Sequence, residues 1–168
     1  MIKEFDGKKP SVPESAFVSQ TALVMGDVQL GENAGVWPGA IIRGDFATIK
    51  IGDGTIIEDN VVVHSGGLLE IGNNVIVGHG AVVHCRKIGN NSLIANNATV
   101  LDNAEIGEYC MIGAGCVVSP GTKIPDRSLV FGVPGKVAGE VKDHQMKRLE
   151  RGNSSYLAMF DKYRRDGI

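Results

Sequence analysis

The sequence predicts an all-β fold, a parallel β-helix of hexapeptide repeats with a C-terminal helical segment, and three observations predict it. Aliphatic residues recur every six positions: Val12, Val18, Val24, Leu30, Val36 and Ile42, then Ile51, Ile57 and Val63, then Ile71, Val77 and Val83. An unbroken run follows at Ile88, Ile94, Val100, Ile106, Ile112, Val118, Ile124 and Val130. Between Leu30 and Val118, twelve of the fifteen residues three places after an anchor are Gly or Asn, the types that tolerate positive φ in a tight turn. Glycine makes up 23 of 168 residues while aromatics are only 5%, so the core has to be built from repeated aliphatic layers rather than from large rings.

Residues 1–11 precede the repeat and are expected to form an N-terminal arm. Residues 12–135 form the β-helix. A period of six suits neither a helix nor a simple strand alternation, so each unit is a short strand plus a turn. Three units close a coil of about 18 residues, and coils stack at about the 4.8 Å strand spacing. Four residues after most anchors stands a small side chain, such as Ala16, Ala34, Ala81, Ala98, Cys110 or Cys116, so large and small residues alternate inside the prism. The pattern stops at Phe131-Gly132-Val133-Pro134-Gly135-Lys136. Residues 136–168 are expected to be helical, over about 140–150 and 154–165, with Tyr156, Phe160 and Tyr163 on one face. Ser154 or Ser155 is expected to cap the second helix across a break at Gly152-Asn153. Packing along the prism or against a neighbour is the expected role of this segment.

Composition excludes several function classes. Net charge is -2 and the 17 Lys and Arg are scattered, so no basic stripe draws the chain to nucleic acid or acidic membranes. No apolar run approaches the roughly 18 residues of a membrane span, and the start, MIKEFDGKKP, lacks the apolar core of a signal peptide. A cytoplasmic protein is expected. Cys85, Cys110 and Cys116 are too few and odd in number for a disulfide framework and read as small buried side chains.

The repeat is broken in a patterned way. Sixteen of nineteen anchor steps are six residues, and the exceptions start at Ile42, Val63 and Val83, which fall on one face in successive coils. Loops that depart from a repeat tend to carry function. The residues after these anchors are Arg43, His64 and His84, so the two imidazoles should stand about 5 Å apart with Arg43 one coil below. His79 follows Val77 on a different face and cannot easily reach that corner in its own prism. A neighbouring prism about a threefold axis can present its His79 there, giving three imidazoles and an open fourth position. Glu58 and Asp59 lie one coil below His79 on the same edge. Cys85, beside His84, points the opposite way on its strand, His144 reads as solvated, and Asp102, Glu105 and Glu108 read as solvated turn positions.

The hexapeptide pattern, over about residues 12 to 130, resembles the left-handed β-helix superfamily, which includes both acyltransferases and carbonic-anhydrase-like proteins. Val36-Trp37-Pro38-Gly39-Ala40, Arg43-Gly44-Asp45, His64 and Gly78-His79-Gly80-Ala81-Val82-Val83-His84-Cys85 together resemble the γ-class carbonic anhydrase family. That resemblance implies a homotrimer in which His64, His79 and His84 ligate the metal, with His79 donated across the subunit interface, and in which Arg43 and Asp45 match the family's interface pair. Two departures are visible. Ile56 and Glu58 stand where the family usually has Asn and Gln, and the segment after His64, Ser65-Gly66-Gly67-Leu68-Leu69-Glu70, is short.

Three imidazoles suit Zn(2+), with Fe or Co as competitors, and a zinc-held water whose pKa approaches about 7 makes hydroxide available to attack CO2. The expected activity is therefore reversible CO2 hydration to bicarbonate. Glu58 would orient or deprotonate the water, and Arg43, Asp45 and Asp59 would order the interface. The alternatives are acyl transfer from acyl-coenzyme A, with a histidine as general base, and a noncatalytic metal-binding trimer.

Overall fold

The computed structural model describes residues 1–168 apart from the side chains of residues 148 and 150–153. Strands mostly of two or three residues, each followed by a turn, wind into a left-handed parallel β-helix of about seven turns. Its three faces are parallel ladders held in register. Face 1 aligns Val24, Ile42, Val63, Val83, Val100 and Val118. Face 2 aligns Leu30, Ile51, Ile71, Ile88, Ile106 and Ile124. Face 3 aligns Val18, Val36, Ile57, Val77, Ile94, Ile112 and Val130.

The corners explain the sequence period. Ala40 N–H bonds to the Trp37 carbonyl (3.2 Å), Val61 to Glu58 (3.3 Å), Ala98 to Ala95 (3.1 Å) and Ala104 to Leu101 (3.1 Å). The third residue of each of these turns has positive φ: Gly39 (72°), Asn60 (58°), Asn97 (57°) and Asn103 (57°). That conformation crowds Cβ against the carbonyl, which Gly avoids and Asn tolerates. Inside, anchors and small residues such as Ala34, Ala81, Ala98 and Cys110 are fully buried. Each anchor side chain taken from water contributes about 1.5–3 kcal/mol, repeated coil after coil.

The outer sides of the faces differ. Face 2 shows water a ladder of Lys50, Glu70, Lys87, Glu105 and Lys123, whose alternating signs are directly paired across neighbouring strands. Face 3 turns Phe17, Ile56, Ile76, Leu93, Met111 and Leu129 outward, and two helices, α1 (Asp143–Leu157) and α2 (Phe160–Asp166), cover them. Face 1 turns out Leu23, Ile41, Val62, Val82, Thr99 and Val117, and neither helix lies on it.

An aromatic cluster docks the helices. Phe160 stacks on Phe17 with centroids 5.2 Å apart, and Tyr156 and Tyr163 meet Trp37 edge-on at 5.3 and 4.7 Å. Gly35 makes the room, because a Cβ there would sit 2.7 Å from the tip of the Phe160 ring. Arg164 ties α2 to the first coil through the carbonyls of Glu14, Ser15 and Ala16, at 2.9–3.1 Å.

Three expectations for the ends are corrected. The helix does not break at Gly152-Asn153; α1 runs Asp143–Leu157, capped at Lys142, and the break falls at Ala158 and Met159, so Ser154 and Ser155 are helix-interior residues. Met146, Leu149 and Tyr156 all face the same cluster, and keeping them in one helical register outweighs the about 1 kcal/mol cost of an interior Gly. Residues 136–168 are not wholly helical, since Lys136–Glu140 forms an antiparallel strand against Ser128–Phe131 that closes the end of face 3. Residues 1–11 also join the prism: Ile2 and Lys3 pair with Val24 and Met25, and Ser11 bridges Gln29.

Candidate functional site

The irregular steps all open onto the edge between faces 1 and 2. Strands Leu23–Leu30 and Ile41–Ile51 run without a break from one face to the next, bulging between Gly26 and Val28. Gly44 permits the close approach, since a Cβ there would lie 2.6 Å from the Asp27 carbonyl oxygen. The detour projects Arg43 and Asp45 beside His64, which is in register with Arg43.

Five charged or ionisable side chains then chain together. Arg43 is ion-paired with Asp45, and Asp45 Oδ1 lies 3.0 Å from His64 Nε2. His64 Nδ1 faces His84 Nε2 at 3.1 Å, with ring centroids 5.1 Å apart. The far nitrogen of His84, Nδ1, lies 3.1 Å from Asp102 Oδ1. Burial alone would raise the Asp45 carboxyl, but the Arg43 hydrogen bond, a backbone amide, the Arg43 charge and His64 together hold it below the usual carboxylate range. Exposed Phe46 stands edge-on to His64 at 5.6 Å.

His79 lies on the opposite edge of face 1, between faces 3 and 1. Its Nε2 is 3.1 Å from Glu58 Oε2, its Nδ1 is 2.9 Å from Asp59 Oδ2, and its backbone N–H donates to Glu58 at 3.0 Å. Glu58 is buried, whereas the His79 side chain is 49% exposed and so open to a second molecule. Tyr156 of α1 hydrogen-bonds Glu58; burial first, then that bond and the Glu58 and Asp59 charges, push its phenol well above the ordinary tyrosine range. A cavity of about 610 Å³ between α1 and face 3 also reaches Glu58 and Tyr156, with Ile76, Leu93 and Met111 as its floor.

The structure thus gathers Arg43, Asp45, His64 and His84 at one edge and Glu58, Asp59 and His79 at another. Within one chain, among the described residues, no three His, Cys, Asp or Glu side chains form a group that could hold a metal ion. The His64–His84 pair fits half of such a site. Two zinc–nitrogen bonds of about 2.0–2.1 Å at a tetrahedral angle span about 3.3 Å, close to the observed 3.1 Å separation, and each ring is held from behind by a carboxylate. Ile56 is buried beneath the helices on face 3 and turns away from both edges. Cys85 is buried with its thiol pushed up to about 12, an inert core group beside the partly exposed His84.

Two residues escaped the sequence reading. Asp102 is exposed, as expected of a turn, yet it is the partner of His84, and its signal was its place two residues after Val100, the face 1 anchor of the coil above Val83. The sequence presents Tyr156 only as a packing residue, and nothing local links it to Glu58. Of the acids grouped with Asp102, Glu105 sits on a face 2 strand between Arg86 and Lys123, and Glu108 accepts from Asn90 at 2.9 Å.

A solved structure of a hexapeptide transferase family protein from Anaplasma phagocytophilum superposes with a TM-score of 0.92 at 34% identity, over 96% of this chain and 97% of that one. The chain belongs to the hexapeptide-repeat superfamily. Residues 87–125 of this hexapeptide-repeat protein also match the family model "Bacterial transferase hexapeptide (six repeats)". A structure described as a proposed acetyltransferase from Bacillus cereus superposes with a TM-score of 0.91 at 37% identity, over 96% and 95% of the two chains. Gamma carbonic anhydrase 2, mitochondrial, from Arabidopsis thaliana is 44% identical over 64 residues, 38% of this chain and 23% of that protein. The match therefore spans less than a quarter of that relative.

Proposed function

We propose that the chain is a γ-class carbonic anhydrase-like metalloprotein that hydrates CO2 reversibly at an interface between copies of itself in a homotrimer. The observation that carries this reading is the placement of the histidines. His64 and His84 converge on one edge of face 1, and His79 stands exposed on its other edge. Face 1 itself is apolar, with Ile41 at 38% and Val62 at 37% exposure. Contiguous exposed apolar surface marks an association site, and pairing face 1 around a threefold axis sets the His79 edge of one copy against the His64/His84 edge of the next.

In this reading His64, His84 and a neighbour's His79 hold zinc, with iron or cobalt as competitors. Bound there, the ion supplies a Lewis acid that brings a water's pKa close to about 7. Glu58 accepts a hydrogen bond or proton at its carboxylate, held in place by the His79 amide and Tyr156. Asp45 orients His64 and is itself fixed by Arg43, while Asp59 steadies the His79 ring. No helix among the described residues is long and apolar enough to cross a membrane. With three free, buried thiols, a reducing cytoplasm is the proposed compartment, and neither nucleic acid nor membrane is a proposed partner.

A second reading, acyl transfer from acyl-coenzyme A, draws support from the transferase descriptions of the two full-length structural relatives. One preparation separates the two. Metal analysis should find about one zinc per chain, and CO2 hydration should vanish on chelation and return with zinc. Acetyl transfer by the chelated protein without CO2 hydration by the loaded one would overturn the proposal.

A further inference from the structure

We infer that Asp102 is a positioning residue for His84, one jaw of a two-carboxylate clamp that presents two lone pairs to a metal ion. The inference rests on the reading of His84 and His64 as ligands and adds a residue that neither the repeat nor the family motifs single out.

The clamp is built by stacking. Val83 and Val100 are in register on face 1, so the turn after Val100 lies directly above the turn after Val83. That upper turn is closed by the Ala104 N–H to Leu101 carbonyl bond (3.1 Å), with Asn103 at φ 57°, and Asp102 is the free-standing residue between them. Its Oδ1 comes within 3.1 Å of His84 Nδ1. At the lower end Asp45 Oδ1 lies 3.0 Å from His64 Nε2, and Arg43 holds Asp45 in turn.

An ionised carboxylate only accepts hydrogen bonds. His64 is hydrogen-bonded to Asp45 through Nε2, which places its proton there, and the Asp102 carboxylate, 3.1 Å from His84 Nδ1, favours a proton on that nitrogen. The unprotonated nitrogens left over are His64 Nδ1 and His84 Nε2, the two that face each other at 3.1 Å. Two lone pairs at that distance repel unless a cation lies between them. The two acids thus arrange the rings for a metal before any partner arrives, and removing the upper jaw lets His84 turn its other nitrogen forward or adopt the other tautomer.

The test compares the full chain with Asp102→Ala and Asp102→Asn. Asparagine keeps an accepting oxygen without the charge. Zinc affinity, read by competition with a chromophoric chelator, should fall about 10- to 100-fold in Asp102→Ala. In Asp102→Asn it should stay within about threefold of the parent. Nitrogen-15 spectra of the metal-free proteins should show His84 protonated at Nδ1 in the parent and in Asp102→Asn, and shifted to Nε2 in Asp102→Ala. An unchanged melting temperature serves as the folding control, since Asp102 is an exposed turn residue. Equal zinc affinity in Asp102→Ala and parent overturns the inference, as does an unchanged tautomer or an Asp102→Asn as weak as Asp102→Ala. If the parent binds no zinc, the ligand reading has failed, and the tautomer still decides whether Asp102 orients the ring.

Discussion

Phe160→Ala should release the C-terminal helices while leaving the prism folded. Phe160 is 4% exposed and is the ring on which α2 docks, stacked on Phe17 and fitted over Gly35. Truncating a fully buried phenylalanine costs about 3–5 kcal/mol. That loss falls on the docking of the helices, because the prism's own ladders make no use of the ring. At 1.4 kcal/mol per factor of ten, even the lower figure shifts the docked-to-undocked ratio by about 150-fold. Trp37, the only tryptophan, lies 4% exposed under the same cluster and reports the change directly. Its emission should move to longer wavelength and become quenchable by acrylamide, while the β-rich circular dichroism and the main melting transition are retained. Amide exchange across α1 and α2 should accelerate, and Tyr156 should lose its hold on Glu58. A variant whose Trp37 emission and helix protection match the parent would refute the view that the aromatic cluster docks these helices.

His64→Ala, His79→Ala and His84→Ala should each lose most of the bound metal, checked by elemental analysis; metal contents equal to the parent would remove these residues as ligands. Glu58→Gln restores the group usual in the γ-class family and removes a negative charge that holds a water proton more tightly, so neutral-pH CO2 hydration should rise and its onset move to lower pH with metal content unchanged. The Cys85, Cys110 and Cys116 thiols are all buried and raised by burial, and should be silent to a thiol reagent in the native protein and all react after denaturation. Asp27 is held below the usual carboxylate range by the Thr48 hydroxyl and then Lys8. Its contribution is present above the unfolded-state value near 4 and is lost as pH falls through the lower folded value. The melting-temperature deficit of Asp27→Asn should accordingly be largest near neutrality and shrink in acid.

Much of the fold was legible because each coil repeats one local rule. The anchor must be aliphatic to fill the prism, and the residue three places on must accept positive φ, so Asn33, Gly39, Asn60, Asn97 and Asn103 mark corners in the sequence itself. The histidine edge was legible for the same reason, since a fixed period makes every departure visible, and the three departures stack. What lay outside the repeat was harder to read. Gly152-Asn153 carries a strong local signal for a break, and only the shared burial of Met146, Leu149 and Tyr156 overrides it. The Tyr156 contact with Glu58 joins segments nearly a hundred residues apart through the path of a helix over face 3, which no periodicity encodes. Asp102 is hard to read because its exposure is real, at 59%, and its ion pair with His84 depends on the vertical alignment of two corners whose step lengths differ.

If one metal site is shared between copies of a trimer, mixing two defective chains should rebuild it. His79→Ala lacks one edge and His84→Ala the other, so each trimer alone should hold little zinc and hydrate CO2 poorly. Unfolded together and refolded at equal amounts, random trimers should rebuild an intact site wherever the His84→Ala chain lends its His79 to a His79→Ala neighbour, about a quarter of all interfaces. Zinc content and CO2 hydration near a quarter of the parent are the expected result. A mixture no better than the average of its two parents would contradict the shared site.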